Sequence, residues 1–99
     1  MKGVYNMKWF FGRKKAVDSY AVVFCDKPDL NTKFGVYTYN LKDYDTAVRI
    51  ITMWWPHAWK ISEGCYKLHS GEYIMVEHIL TQAQLDALRP MCHGYCFYH

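Results

Sequence analysis

Two histidine–glutamate pairs are the residues of this sequence whose types could support acid–base catalysis. A two-residue turn at 70–71 would place Glu63 opposite His78 and His69 opposite Glu72 in a hairpin. A carboxylate beside an imidazole raises the pKa of the imidazole and orients the ring, as a general base requires. Opposite charges across a hairpin are also ordinary sheet stabilisation, and no nucleophile elbow, P-loop or dinucleotide fingerprint accompanies them. We therefore predict no catalytic residues and keep a small enzyme that uses one of these pairs as an alternative.

The C-terminal segment contains the candidate metal ligands. Cys92, Cys96 and His99 offer two thiolates and an imidazole, the ligand types that zinc prefers. Structural zinc sites usually combine two paired elements, and the second pair is missing here. A local disulfide between the two cysteines and plain packing of an aromatic C-terminus are the other interpretations. We expect no cofactor, with zinc left as an open alternative.

Aromatic and basic residues raise the question of nucleic-acid binding. Tyr37 and Tyr39 alternate along a predicted strand, as in the stacking platforms of single-stranded RNA binders. The basic residues cluster elsewhere, at Arg13, Lys14 and Lys15. A solvated hairpin turn explains that cluster equally well, and the net charge of +3 is mild for a dedicated nucleic-acid binder. RNA binding therefore stands as an alternative behind protein binding.

Three tryptophans fall within the segment WWPHAW, which supplies the candidate partner-binding residues. Trp54 and Trp55 follow each other at the end of a predicted helix, and Pro56 sends the chain on a new path toward His57 and Trp59. Core packing can account for some of these rings. One helical face cannot easily bury all three indoles, and tryptophan is among the residues that dominate binding energy at interfaces. We predict a protein-binding surface at these four aromatic and imidazole side chains.

Composition and length limit the architecture that must position these residues. A chain of 99 residues with 52% hydrophobic and 21% charged residues corresponds to one globular domain. No apolar run reaches the ~20 residues of a membrane span, and the N-terminus does not resemble a secretory signal. We expect a cytoplasmic location, reduced cysteines and a single domain over residues 1–99.

The apolar pattern predicts five strands and two helices. The strand segments are residues 3–11, 19–25, 34–41, 63–69 and 72–80. The turn at 70–71 would set Tyr66 opposite Met75 in the last hairpin. A helix over 43–55 begins at an Asp43 N-cap and ends before Pro56. Thr81 begins a capping box that starts a short helix ending near residue 89.

The order β-β-β-α-β-β-α indicates an α+β domain. We predict an antiparallel sheet of about five strands with both helices on one face, and an irregular aromatic tail over residues 89–99.

The function that fits best is a small non-enzymatic protein-binding module, in the style of phage proteins that inhibit a host protein or act as adaptors. The partner is another protein of unknown identity, and a homodimer is an open alternative.

Overall fold

The computed structural model describes residues 17–98, with side chains described as far as Cys92. Its strands are β1 (Ser19–Cys25), β2 (Lys33–Leu41), β3 (Trp59–Ser62), β4 (Cys65–Lys67), β5 (Tyr73–Ile79) and β6 (Cys92–Tyr98). Its α-helices are α1 (Tyr44–Trp54) and α2 (Gln82–Leu88), and short 3-10 turns cover Leu30–Thr32 and Arg89–Met91. The described part of the chain is thus a small α+β domain, as predicted.

The six strands form one sheet in the order β3-β4-β5-β1-β2-β6. The first five pair antiparallel, which confirms the predicted five-stranded antiparallel sheet. The sixth, β6, pairs parallel to β2 at one edge. The centre of the sheet is the β1–β5 ladder, in which Ser19 lies opposite Ile79 and Cys25 opposite Tyr73.

Strand β1 is central because its side chains are buried on both faces of the sheet. Val22 contributes to a core cluster with Ala47 and Ile51 of α1. Val23 contributes to a second cluster with Leu88 of α2. The two helices therefore lie on opposite faces of the sheet. Here the structure differs from the prediction that both pack on one face.

Both helices begin at the predicted caps. The Asp43 side chain accepts a hydrogen bond from the backbone N–H of Thr46, which satisfies one of the free donors at the start of α1. In α2 the Thr81 side chain accepts from the Gln84 N–H, and the Gln84 side chain bonds back to the cap residue, completing the capping box. Helix α1 ends one residue before Trp55, consistent with the restriction that Pro56 imposes.

Three features of the fold differ from the sequence prediction or lie beyond it. The predicted strand at 3–11 lies outside the described residues. The predicted irregular tail over 89–99 is wrong for most of its length, because Cys92–Tyr98 is an edge strand. Residues Trp59–Ser62 form a strand that was not predicted. Apolar Trp59 and Ile61 alternate with Lys60 and Ser62, but the alternation covers only four residues, and all four side chains are exposed.

The β4–β5 hairpin is shifted by one residue from the predicted register. Tyr66 lies opposite Ile74 rather than Met75. The N–H of Gly71 donates to the carbonyl of Leu68 at 3.0 Å, so the loop contains three residues instead of two. Gly71 has a φ of 96°, the left-handed conformation that a three-residue hairpin loop requires and that glycine adopts without strain.

An ion pair crosses the α2 face of the sheet. The Nζ of Lys33 lies 3.0 Å from Oε1 of Glu77, and the two side chains are only 21% and 10% exposed. Since β1 separates the two strands that carry them, the pair spans the central strand. Within the described part of the chain, Glu77 Oε1 has no additional hydrogen bond. The lysine is therefore the main compensation for a buried carboxylate.

Two buried thiols lie in the sheet. Cys25 and Cys65 are free and buried, as predicted for cysteines in apolar strands. Burial disfavours the charged thiolate, and it raises the pKa of Cys25 to about 11 and moves that of Cys65 in the same direction. Both groups are therefore protonated and shielded at neutral pH.

We expect neither thiol to react with an aromatic disulfide reagent in the folded protein at pH 8, and both to react in denaturant. Because the pKa of Cys25 is raised on folding, its contribution to stability is complete below about pH 9 and disappears as the pH approaches about 11. Urea denaturation at pH 8 and pH 10 measures this loss, and a Cys25→Ala variant should lack that part of it. Fast labelling of the folded protein would contradict the prediction.

No helix within residues 17–98 is long and apolar enough to cross a membrane.

Candidate functional site: an aromatic corner

The chain leaves α1 through a corner that faces the turn of the β4–β5 hairpin. We call the residues of this region, 54–59 and 68–72, the aromatic corner. Between its two segments lies an open pocket of about 420 Å³. The pocket is lined by Phe24, Trp54, Trp55, Pro56, His57, Ala58, Leu68, His69, Ser70 and Glu72. Three elements that are distant in sequence therefore build one concave, mainly apolar site.

Trp55 is the fixed wall of this pocket. Its ring lies edge-to-face with Phe24 at 5.7 Å and with Tyr37 at 5.0 Å between ring centroids. Edge-to-face contacts of this kind add to the stabilisation that comes from burial alone. The side chain is half-buried and belongs to the α1-side core. Core packing, the other interpretation of the three tryptophans, therefore accounts for much of the environment of Trp55.

Trp54 and Trp59 are largely exposed. The exposed fractions of the two side chains are 59% and 55%. The ring of Trp59 lies 5.1 Å from that of His69, which itself lies 6.2 Å from the ring of His57. The four residues predicted to bind a partner are thus brought to one end of the sheet, with Trp55 as a wall and the other three accessible.

Apart from His57 and the indole N–H groups, the polar side chains that line the pocket come from the hairpin turn. Glu72 is partly buried, and its Oε1 accepts a hydrogen bond from the Ser70 hydroxyl at 3.2 Å. Among the described residues that line the pocket, Glu72 alone carries a formal charge when histidine is neutral. Neither Phe24 nor Leu68 was predicted as part of this site, since no sequence pattern links them to the tryptophans.

The predicted acid–base pairs are not formed. The one-residue shift of the hairpin takes Glu63 away from His78, and Glu63 instead accepts from the Tyr44 hydroxyl at 2.6 Å and from Lys60 at 3.3 Å. The Tyr44 hydrogen bond lowers the pKa of Glu63, while burial and the same carboxylate raise that of Tyr44. These contacts attach the start of α1 to the β3–β4 turn.

His78 has partners that the sequence did not predict. Its ring stacks on Tyr20 with a centroid distance of 4.4 Å, and its Nε2 lies 2.7 Å from Oδ1 of Asp18. The second predicted pair, His69 with Glu72, is wrong for a related reason. In the three-residue loop Leu68 takes the position opposite Glu72, where its N–H donates to the Glu72 carbonyl at 2.8 Å.

The predicted RNA-stacking platform is divided between the two faces of the sheet. Tyr37 packs on the α1-side core and Tyr39 on the α2-side core. Register irregularities in the β1–β2 ladder break the simple alternation along this strand, so residues two positions apart no longer share a face. The basic cluster of Arg13, Lys14 and Lys15 lies outside the described residues.

The candidate zinc ligands are only partly described. Cys92 is disulfide-bonded, so the expectation of reduced cysteines is wrong for this residue, and one thiolate is removed from the predicted zinc ligands. The side chain of Cys96 and residue His99 lie outside the described atoms. Within residues 17–92, no group of three or more histidine, cysteine, aspartate or glutamate side chains is arranged to hold a metal ion.

Comparison of the chain with known protein families, with curated proteins and with solved structures gave no match.

Proposed function

We propose that this protein is a non-enzymatic protein-binding module whose binding surface is the aromatic corner. The observation that carries the proposal is the exposure of Trp54 and Trp59, at 59% and 55%, beside a pocket of about 420 Å³. Burying an indole away from water is strongly favourable because its apolar area is large. Tryptophan is also among the commonest hot-spot residues of protein interfaces. Two such rings beside one concavity favour burial against a partner.

The neighbouring edge strand extends the proposed surface. All four side chains of β3 are exposed, and within the described sheet this strand has a neighbour on one side only. The side chain of Ile61 is 51% exposed, so apolar area continues past Trp59. Exposed contiguous apolar area of this kind is typical of interaction sites. A partner strand could add to this edge through backbone hydrogen bonds.

The role that we propose is that of an adaptor or inhibitor of another protein. The first argument for this role is that the indoles of the aromatic corner are accessible. The second is that the two alternatives lose their sites, because the predicted histidine–glutamate pairs are not formed and the two tyrosines of the predicted RNA platform lie on different faces of the sheet. Pairing of two copies through β3 is the alternative in which the partner is the chain itself. Size-exclusion chromatography with light scattering separates these two outcomes.

Replacing Trp54 or Trp59 with alanine should weaken partner capture at least tenfold while leaving the fold intact, since truncating an interface hot spot typically costs 2 kcal/mol or more. The measurement is quantitative capture from lysate of the native organism, with thermal unfolding as the check on folding. Leu80→Ala is the matched control, because Leu80 is 53% exposed but lies at the far end of β5. Equal capture by all three variants, or unfolding of both tryptophan variants, would refute the proposal.

A further inference from the structure

The chemistry of the pocket lining indicates the kind of group that it accepts. Phe24, Trp54 and Trp55 contribute aromatic rings, and Glu72 contributes a carboxylate from the hairpin turn. Phe24 and Trp55 both line the pocket and lie edge-to-face, with ring centroids 5.7 Å apart and an interplanar angle of 81°. Ring faces carry negative electrostatic potential, as does the carboxylate. The lining is therefore complementary to a cation that also has apolar surface.

We propose that the aromatic corner binds a methylated ammonium group, presented as a methylated lysine side chain of the partner protein. This inference rests on the proposed protein-binding function and specifies the anchor that the partner supplies. Methyl groups spread the positive charge and reduce hydration, so such a cation gains more from aromatic walls than a bare ammonium does. Recognition of quaternary ammonium groups by aromatic cages follows the same physics.

The size of the pocket is consistent with this ligand. Its volume of about 420 Å³ lies in the lower part of the range for small-ligand sites, roughly 300–1,000 Å³. The methylated head would occupy part of that space, and the aliphatic stem of the lysine would lie against apolar groups such as Leu68 and Ala58. The open side of the pocket lets the partner's backbone remain outside.

Rival ligand classes match the lining less well. A neutral apolar side chain would desolvate Glu72 without offering it a positive charge, which costs free energy. An anionic group would meet the same carboxylate as a like charge. His57 and His69 also line the pocket, so all ligands are compared at one fixed pH.

The test compares a cation with a neutral molecule of the same shape. Choline and 3,3-dimethylbutan-1-ol are titrated into the purified full chain, and the indole N–H resonances of the tryptophans report binding. We expect choline to bind at least fivefold more tightly than the alcohol, and trimethyllysine amide to shift the same resonances. Equal binding of the two molecules would overturn the proposal, as would the absence of any shift with choline.

Variants locate the site. Glu72→Gln should weaken choline binding about threefold and should not weaken binding of the alcohol, since the carboxylate attracts only the cation and its desolvation opposes a neutral ligand. Trp54→Ala should weaken choline binding further. Met53→Ala is the matched control, because Met53 is exposed on the same helical turn but does not line the pocket. Choline affinity that is unchanged by Glu72→Gln and Trp54→Ala would place binding elsewhere and refute the inference.

Three further results separate this inference from the proposed function. If partner capture requires Trp54 but trimethyllysine amide does not compete with the partner, protein binding stands and the methylated-lysine anchor is wrong. If phosphatidylcholine vesicles bind while trimethyllysine amide does not, the cation comes from a lipid headgroup and the proposed source is wrong. Capture that is independent of both exposed tryptophans would instead refute the protein-binding function itself.

Discussion

Replacing Ile51 with alanine is expected to lower the free energy of unfolding by about 3 kcal/mol, within the usual range for such truncations. Ile51 is fully buried, and its core cluster includes Val22, Leu41 and Ile74 of the sheet. Removing three carbon atoms there removes apolar burial and leaves a cavity that the rigid strands cannot close. Because Ile51 is one of the two buried residues of α1, the attachment of this helix to the sheet should suffer most.

Thr52→Ala is the matched control for this prediction. Thr52 is the next residue of the same helix and is exposed, so its replacement should change stability by less than about 0.5 kcal/mol. Urea denaturation followed by circular dichroism measures both variants. The indole N–H resonance of Trp55, which is held against Phe24, reports whether the corner loosens together with the helix. Equal stability of the two variants would show that α1 does not depend on this contact.

Replacing Lys33 with methionine is expected to cost about 3 kcal/mol, because it leaves the buried Glu77 carboxylate without its cation. Replacing Glu77 with leucine should cost less, since the longer lysine side chain can extend its amine toward water. The double variant Lys33→Met with Glu77→Leu should recover most of the loss, because no buried charge remains and the site lies beside an apolar cluster.

Urea denaturation of the two single variants and the double variant gives the coupling between Lys33 and Glu77 directly. Lys60, paired with Glu63 on the surface at 3.3 Å, is the control residue. Lys60→Met should leave stability nearly unchanged, as exposed ion pairs contribute little. A small effect of Lys33→Met, similar to that of Lys60→Met, would mean that the buried carboxylate finds other compensation.

The elements that could be predicted from the sequence are those with local signals. Asp43 and Thr81 indicate where the two helices begin, since each side chain accepts a hydrogen bond from a backbone N–H in the first turn of the helix that it caps. Strand β1 was predicted with its observed bounds, because a continuous apolar run is what a strand buried on both faces requires. Strand β3 is only four residues long and its side chains are all exposed, so its short alternation was not enough to predict a strand. No periodicity in the sequence indicated β6.

The arrangement of the helices could not be predicted, because it depends on the order of strands in the sheet. Strand β2 connects through α1 to β3 at one edge, and β5 connects through α2 to β6 at the other edge. Strands β2, β3, β5 and β6 all run parallel to one another, so both connections are crossovers. Nearly all crossover connections between parallel strands are right-handed. Two right-handed crossovers that move toward opposite edges of the sheet must therefore lie on opposite faces of it.

The candidate site was half predictable. The tryptophans were identified because their number and the proline between them exclude a common buried face. The residues that the β4–β5 hairpin contributes to the pocket depend on the register of that hairpin. The register is set by the three-residue loop, in which Gly71 has the left-handed conformation. One residue of slip moves a side chain to the other face of a sheet, which explains why the predicted histidine–glutamate pairs are not formed.

The central ladder between β1 and β5 has a consequence during synthesis on the ribosome. The β1–β2 and β4–β5 hairpins are local and can form early, but the ladder joins residues separated by about half of the chain or more, such as Cys25 with Tyr73 and Ser19 with Ile79. Until β5 has emerged, the inner edge of β1 has no partner, although Ala21, Val22 and Val23 make it the most apolar strand edge of the described sheet. We expect nascent chains to associate through this edge when synthesis is fast, so inclusion bodies would reflect the folding route and not the surface of the finished protein.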